Sequence, residues 1–108
     1  MLAKAKFDAL RSLGFASISG SYADIGDPFE APVRALFIAN ATDGDMFISL
    51  DGGVTDHLFM LAGTFQLYDV GANVQPADDK YVLPVGTQCS VKQSTAPTQK
   101  GVYISALR

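Results

Sequence analysis

The residues best suited to acid–base chemistry in this 108-residue chain surround its only histidine. His57 directly follows Asp56 and lies six residues after Asp51, so a carboxylate could orient the imidazole as a general base. The nucleophile would have to be Ser49, Thr55 or Cys89. None of these lies in a nucleophile elbow or in another activation motif. The sequence therefore predicts a protein that is not an enzyme, with His57 in a strand close to a turn.

Four aspartates could instead supply oxygen ligands to a calcium ion: Asp43, Asp45, Asp51 and Asp56. Their spacing is not that of an EF-hand loop, because no glutamate closes the set at the twelfth position. Asp and Gly are also the residues that tight turns select for backbone reasons. We therefore expect these aspartates to form turns, and we predict no metal or other cofactor.

The tyrosines offer a third kind of chemistry, the stacking of a sugar ring on aromatic side chains. They are Tyr22, Tyr68, Tyr81 and Tyr103. Neighbouring Asp and Asn side chains could bind sugar hydroxyls, but the chain contains no tryptophan. Tyrosines in small β proteins more often fill sheet edges and subunit contacts. A glycan-binding β-sandwich module, used in adsorption or adhesion, therefore remains the alternative function.

Strands must position these residues, because the composition and the periodicity indicate one all-β domain. Hydrophobic residues make up 48% of the chain and charged residues only 18%, which excludes a disordered protein. Short alternating apolar runs between Gly, Pro and Asp turns predict an antiparallel, jelly-roll-like β-sandwich of about eight strands over residues 15–108. Residues 1–14 are predicted to form an N-terminal arm or a first strand, since their apolar residues fit more than one spacing.

The segment 39–70 predicts a β-meander in which three strands follow one another through short turns. The D-G pair of Asp43 and Gly44 predicts a hairpin with a positive φ at Gly44. The nearly continuous apolar run 33–40 predicts a central strand. The other strands are expected within 15–26 and at 46–50, 57–61, 65–70, 81–85, 87–92 and 102–107.

Several predicted strands carry apolar residues on both faces, which a solitary sandwich would not need. If Met46 and Ile48 face the core, Phe47 points outward. If Phe59 and Leu61 face the core, Leu58 and Met60 point outward instead. Unless the N-terminal segment covers them, such side chains should contact neighbouring copies or a larger partner. The predicted contact residues are Phe7, Phe47, Leu58, Met60 and Tyr103.

Charge and hydropathy exclude several other classes of partner. The net charge is −3, with eight Lys and Arg residues in the whole chain, so we predict no nucleic-acid partner. No apolar stretch reaches the roughly 18 residues of a membrane span, and the N-terminus lacks the unbroken apolar region of a signal peptide. The single Cys89 is predicted to be a small buried hydrophobic residue in a reducing compartment.

From about Ser19 onward the chain resembles a group of small virion-associated proteins of tailed bacteriophages. The shared motifs begin with an N-x-T-D turn at 40–43, an I-S-x-D-G strand and turn at 48–52 and an A-G hairpin at 62–63. They continue with a Y-D-x-x-x-N strand end at 68–73, G-T at 86–87, V-K at 91–92 and V-Y at 102–103.

The resemblance implies a structural component of the phage particle without enzymatic activity. Such a protein is made in the host cytoplasm and ends in the virion, as a head-surface decoration protein, a neck or collar protein, or a tail component. Its partners would be copies of itself and other virion proteins of the capsid, neck or tail. Copies would have to form symmetric contacts that close into a ring or cover a lattice.

Overall fold

The computed structural model describes residues 6–69 and 83–108, which contain eight β-strands. A short 3-10 turn, Phe15–Ser17, follows the first strand. In chain order the strands are β1 Arg11–Gly14, β2 Ala23–Asp24, β3 Ala35–Asn40, β4 Met46–Ser49, β5 Leu58–Met60, β6 Thr64–Asp69, β7 Ser90–Gln93 and β8 Gly101–Leu107.

The strands form two four-stranded antiparallel sheets packed as a sandwich. Sheet A has the order β1-β8-β3-β6, and sheet B has the order β2-β7-β4-β5. Among the described strands, the connection from β4 to β5 stays within sheet B. The other connections between successive strands cross to the opposite sheet. This order is that of a jelly roll, which arranges eight strands as two Greek keys. The predicted all-β sandwich of about eight strands is confirmed.

The meander predicted for 39–70 is wrong, because of the three successive strands β4, β5 and β6 only β4 and β5 pair, whereas β6 pairs with β3 in the other sheet. The turns after β3 and after β5 carry the chain to the opposite sheet, so neither is a hairpin. Gly44 does not take a positive φ. Its need for glycine is steric, since an added Cβ would lie 2.3 Å from the carbonyl oxygen of Thr95. A D-G pair identifies a turn but does not decide which sheet the next strand joins.

The central strand predicted within 33–40 is confirmed as β3, which has β8 on one side and β6 on the other. The strand predicted within 15–26 is reduced to the two residues of β2. The strand predicted at 87–92 begins later, as β7. The strand predicted at 81–85 lies partly outside the described residues, and Leu83 there forms an isolated bridge to Val33.

The core lies between the two sheets and takes one face of each. On β3 the alternation is complete, with Leu36, Ile38 and Asn40 buried and the residues between them half-buried. Fully buried apolar side chains from both sheets meet them, including Met46, Ile48, Met60, Val91, Val102 and Ile104. The core is therefore one continuous cluster.

The described part of the N-terminal segment extends sheet A and does not cover its outer face. Lys6 and Arg108 exchange backbone hydrogen bonds of 2.8 and 2.9 Å, and Phe7 forms a bridge with Leu107. Arg108 also donates through Nε to the Asp8 carboxylate at 2.8 Å. Phe7 remains 71% exposed. The described N-terminal residues therefore do not cover the outward-facing apolar side chains of sheet A within the same molecule.

One buried side chain, that of Asn40, joins two of the turns that cross between the sheets, the turn after β3 and the turn after β5. The Asn40 amide nitrogen donates to the carbonyl oxygens of Gly44 at 2.9 Å, Met60 at 3.2 Å and Leu61 at 3.3 Å. Its amide oxygen accepts from the Thr42 hydroxyl at 2.7 Å and from the Thr42 N–H at 3.2 Å. The turn after β3 is thereby held against the end of β5.

Candidate contact surface

The outer face of sheet A consists almost entirely of uncharged side chains. The antiparallel register across β8, β3 and β6 arranges them in three rows: Tyr103, Ala39 and Phe65; Ser105, Phe37 and Leu67; and Leu107, Ala35 and Asp69. Phe7 extends the third row through its bridge to Leu107. Asp69 is the one charged side chain in these rows. The face therefore exposes few groups that interact strongly with water.

The apolar side chains of this face are strongly exposed. Phe65 is 66% exposed, Leu67 63% and Tyr103 37%. The Phe65 ring packs beside the Phe37 ring, with centroids 5.4 Å apart and a tilt of 35°. Contiguous exposed apolar surface rimmed by polar groups marks interaction sites on soluble proteins. We call this surface the sheet A face.

The sheet A face has relief that follows from side-chain size. The small side chains of Ala39 and Ser105 lie low on the central strands, whereas Phe65 and Leu67 stand along β6. A shallow depression is lined by Phe37, Ala39, Asn40, Ala41, Gly63, Thr64, Phe65 and Lys100. Phe65 and Leu67 thus form a ridge along β6 beside this depression. Another surface with matching relief can fit against both.

The outer face of sheet B, by contrast, combines aromatic rings with charged side chains that pair with each other. The Lys92 ammonium lies 4.8 Å from the centre of the Tyr22 ring, 5.4 Å from that of Phe47, and 3.2 Å from the Asp56 carboxylate. The Tyr22 hydroxyl donates to the same carboxylate at 2.5 Å. The Phe47 and Phe59 rings are 5.0 Å apart. We call these five residues the Lys92 cluster.

Within the Lys92 cluster, Tyr22 and Asp56 also shift each other's pKa in complementary directions. Burial, together with the hydrogen bond to Asp56, raises the pKa of Tyr22 above its ordinary value. The same hydrogen bond, followed by the contact with Lys92, lowers the pKa of Asp56. The Tyr22 phenol is therefore neutral and the Asp56 side chain ionised at neutral pH, and their contacts with each other and with Lys92 satisfy the polar groups of the cluster.

The predicted acid–base residues meet in the loop between β4 and β5. His57 accepts a hydrogen bond through Nδ1 from the Leu50 N–H at 3.0 Å, and its Nε2 lies 4.0 Å from Asp51. The Ser49 hydroxyl donates to Asp51 at 2.6 Å, as does the Thr55 N–H at 2.9 Å. These bonds, that from Ser49 first, hold the pKa of Asp51 below its usual range. The polar atoms of this group are thus engaged in shaping the loop.

The other residues considered as candidates from the sequence lie outside the loop between β4 and β5. Asp43 accepts from the Thr98 N–H at 2.7 Å, and Asp45 accepts from the Ala62 N–H at 3.0 Å, so both brace turns. Within residues 6–69 and 83–108, no three His, Cys, Asp or Glu side chains come together in a group that could hold a metal ion. Cys89 is buried as predicted, and burial raises the pKa of its thiol to about 11.

The tyrosines that the structure describes do not form one platform. Tyr22 lies in the Lys92 cluster, Tyr103 lies on the sheet A face, and Tyr68 packs against the core. Tyr81 lies outside the described residues. A sugar-binding platform built jointly from these tyrosines is therefore not present in the described part of the chain.

The five predicted contact residues also separate. Phe7 and Tyr103 lie on the sheet A face, whereas Phe47 belongs to the Lys92 cluster. Leu58 and Met60 were predicted to point outward, and this orientation is wrong: Met60 is only 1% exposed and Leu58 packs against the core.

The pairing of β5 explains its orientation. Met60 lies opposite Met46, and Leu58 lies opposite Ile48, so the register places both on the inward side. Phe59 and Leu61 point outward instead, 46% and 56% exposed. In a three-residue strand with apolar residues at every position, the sequence carries no alternation from which to choose the inward face.

Phe65 and Leu67 are the contact candidates that sequence reasoning missed. They alternate with Thr64, Gln66 and Tyr68, which is the expected signal of a strand with two different faces. The polar set turns inward, however, and the Tyr68 hydroxyl donates to the Gln66 side chain there. An assignment from polarity alone would therefore have placed Phe65 and Leu67 in the core and the polar residues of β6 on the outer face.

No protein-family model, no curated protein and no solved structure matches this chain. In the described residues, there is no helix with the length and apolar character required to cross a membrane.

Proposed function

We propose that this protein is a non-enzymatic structural component of a tailed-phage virion, present in multiple copies at the neck or tail or on the head surface. The observation that carries the proposal is the sheet A face, on which Phe65 and Leu67 are exposed among uncharged neighbours. Burying apolar surface stabilises a contact by about 25 cal/mol per Å². A repeated assembly provides each copy with a surface that can bury this face.

The strand order supports the proposal by analogy of fold. Jelly rolls of eight strands occur in viral capsid domains as well as in lectins. A shared fold does not fix a function, so the argument for a structural role must come from surfaces. The sheet A face supplies such a surface, and its shape and hydrophobicity suit contact with protein.

The phage-like motifs agree with this interpretation at the level of local structure. Asn40 and Thr42 of the N-x-T-D motif form the buried hydrogen bonds that fasten the crossing turns. Ser49 and Asp51 of the I-S-x-D-G motif shape the loop between β4 and β5. The resemblance to virion proteins therefore falls on residues that build the sandwich and position its faces.

The direct test is made on purified particles of the virus that encodes this chain. Mass spectrometry should find the protein in many copies per particle, and a particle reconstruction should place its density on a symmetry-related set of positions. Its absence from intact, purified particles would overturn the proposal.

A pair of matched variants then tests the surface within the particle. Leu67→Asp introduces a charge on the sheet A face, and we expect incorporation to fall at least tenfold. Leu61→Asp places the same charge at a similarly exposed leucine at the end of β5, and it should be incorporated normally. Equal incorporation of both variants would show that the sheet A face is not the contact surface.

A glycan-binding module remains the second candidate, and the Lys92 cluster is the observation that favours it. Phe59 is 46% exposed and packs on Phe47, which lies between it and the Lys92–Asp56 ion pair, and this combination can stack on a sugar and bind its hydroxyls. A glycan array probed with the wild type and Phe59→Ala separates the two functions. A saccharide bound by the wild type and lost in the variant would favour the module.

A further inference from the structure

We propose that the sheet A face binds the same face of a second copy of this chain across a two-fold axis, giving a symmetric dimer. This inference rests on the proposed function, in that it takes the sheet A face as a contact surface, and it adds the partner and the symmetry. The exposed area of the face, the positions of its side chains and the placement of its charge support this dimer.

The exposed area is sufficient for a specific interface between two copies. Phe7, Phe65, Leu67 and Tyr103 retain 71%, 66%, 63% and 37% of their surface. An aromatic side chain offers about 150–250 Å², so the three aromatic residues together with Leu67 contribute on the order of 400–500 Å² per copy. With the half-buried Phe37 and Leu107 added, two copies would bury roughly 1,000–1,200 Å², the lower limit for specific protein interfaces.

The side chains of the face can pair with those of a second copy. A two-fold axis that runs along the strands over β3 brings β6 of each copy over β8 of the other. Leu67 of one copy then lies over the small Ser105 of its partner, the Phe65 ring lies over the Tyr103 ring, and Ala39 faces its own symmetry mate. Because the operation exchanges the two copies, this fit is made twice in each dimer.

Charge does not oppose the pairing. The chain carries a net charge of −3, so two copies repel each other weakly at long range. Within the three rows of the face, however, Asp69 is the one charged side chain. It lies on the edge strand β6, and the two-fold rotation places the two Asp69 carboxylates on opposite sides of the dimer. Lys100 lines the depression beside Ala39 but does not belong to the three rows, so the rows themselves contain no like-charge pair near the axis.

The test measures the mass of the full chain in solution by light scattering and sedimentation, from about 1 μM to about 1 mM. The chain has a mass of 11.4 kDa, and we expect a concentration-dependent species of about twice that mass. Leu67→Asp should weaken the dimer at least about 100-fold. Leu61→Asp is the matched control, and its dimer should equal that of the wild type.

A cysteine cross-link tests the two-fold symmetry independently of any loss of stability. Cys89 is buried, so a thiol introduced by Ala39→Cys would be the accessible one in the described part of the chain. Near a two-fold axis, each introduced thiol faces its own symmetry mate. Mild oxidation should therefore produce a covalent dimer of Ala39→Cys, and no dimer of a Ser94→Cys control at the exposed turn after β7.

Three results would overturn the inference: a monomer over the whole concentration range, an open series of larger masses, or a folded Leu67→Asp that dimerises like the wild type. If Leu67→Asp proves unfolded by circular dichroism, Leu67→Gln and the cross-link decide the matter. A monomer that is nevertheless present in particles would overturn the dimer and leave the proposed function standing. A dimer absent from particles would do the reverse.

Discussion

Asn40 shows how a single buried side chain can decide the path of the chain. It bonds the carbonyl oxygens of two turns that lead to opposite sheets, and it is 1% exposed. Replacing Asn40 by Ala should lower the free energy of unfolding by about 3 kcal/mol, because buried carbonyl groups would lose their donor. Denaturant unfolding followed by circular dichroism measures this loss.

Two further variants give reference values for the loss of unfolding free energy in Asn40→Ala. Thr42→Val keeps the side-chain shape but removes the hydroxyl that bonds Asn40 and Gly44, so it should cost about 1–2 kcal/mol. Gln99→Ala changes an exposed residue in a nearby loop and should cost less than about 0.5 kcal/mol. An Asn40→Ala loss no larger than that of Gln99→Ala would contradict the role given to Asn40.

The second prediction at the scale of the residue concerns pH and Asp51. Its pKa in the folded state lies below the ordinary value of 3.8, chiefly because the Ser49 hydroxyl donates to the carboxylate. The ionised form therefore stabilises the fold fully above pH 3.8, and this contribution is lost as the pH falls towards the lowered pKa.

Asp51→Asn provides the comparison for this pH dependence. The wild type should be more stable than the variant near neutral pH, and the difference should shrink as the medium becomes more acidic. Unfolding curves recorded in parallel at several pH values give the difference directly. A gap that stays constant or widens in acid would contradict the assignment.

At the scale of the element, β5 is the strand whose orientation matters most for any test of the surface. Met60 lies in the core, so Met60→Asp would bury an unpaired charge and should cost about 4 kcal/mol or more. The adjacent Leu61 is 56% exposed, so Leu61→Asp should leave the melting temperature nearly unchanged. Similar melting temperatures for the two variants would show that β5 has the opposite orientation.

The turn between β3 and β4 gives a second prediction at this scale. Gly44→Ala should destabilise the protein by about 2 kcal/mol, because the new Cβ would meet the Thr95 carbonyl. Gly20→Ala is the control, since nothing lies within 4 Å of its Cβ position and its φ is not positive. The control should be neutral or slightly stabilising, by up to about 1 kcal/mol. Thermal unfolding of both variants makes the comparison.

The limits of sequence reasoning also appear at the scale of the element. Turn residues and apolar runs locate most strands, and the apolar run of β3 correctly predicts a central one. They do not give the sheet to which each strand belongs, because the D-G turn at Gly44 is local, while the crossing is also held by the bonds of Asn40 to Met60 and Leu61, 20 and 21 residues further along the chain. The inward face of β5 and the outward Phe65 on β6 depend on register with partner strands, which a single sequence does not contain.

For the whole molecule, the character of the sheet A face predicts how assembly responds to salt. A contact made by apolar side chains depends little on ionic strength, whereas a contact between charges weakens as salt screens them. The dimer dissociation constant should therefore change by less than about threefold between roughly 0.05 and 0.5 M salt. Sedimentation at several salt concentrations provides the measurement, and a large loss of affinity at high salt would indicate a contact through charged groups.

The pairing of β1 with β8 has a consequence for how the protein is made. β1 is synthesised well before its partner β8, with the other described strands between them, so sheet A cannot be completed until β8 has left the ribosome. Until β8 arrives, one edge of β3 lacks its neighbour. Nascent chains on one messenger are then close enough to pair through such edges, and rapid co-translational chaperoning or low expression temperature should raise the yield of correctly folded protein.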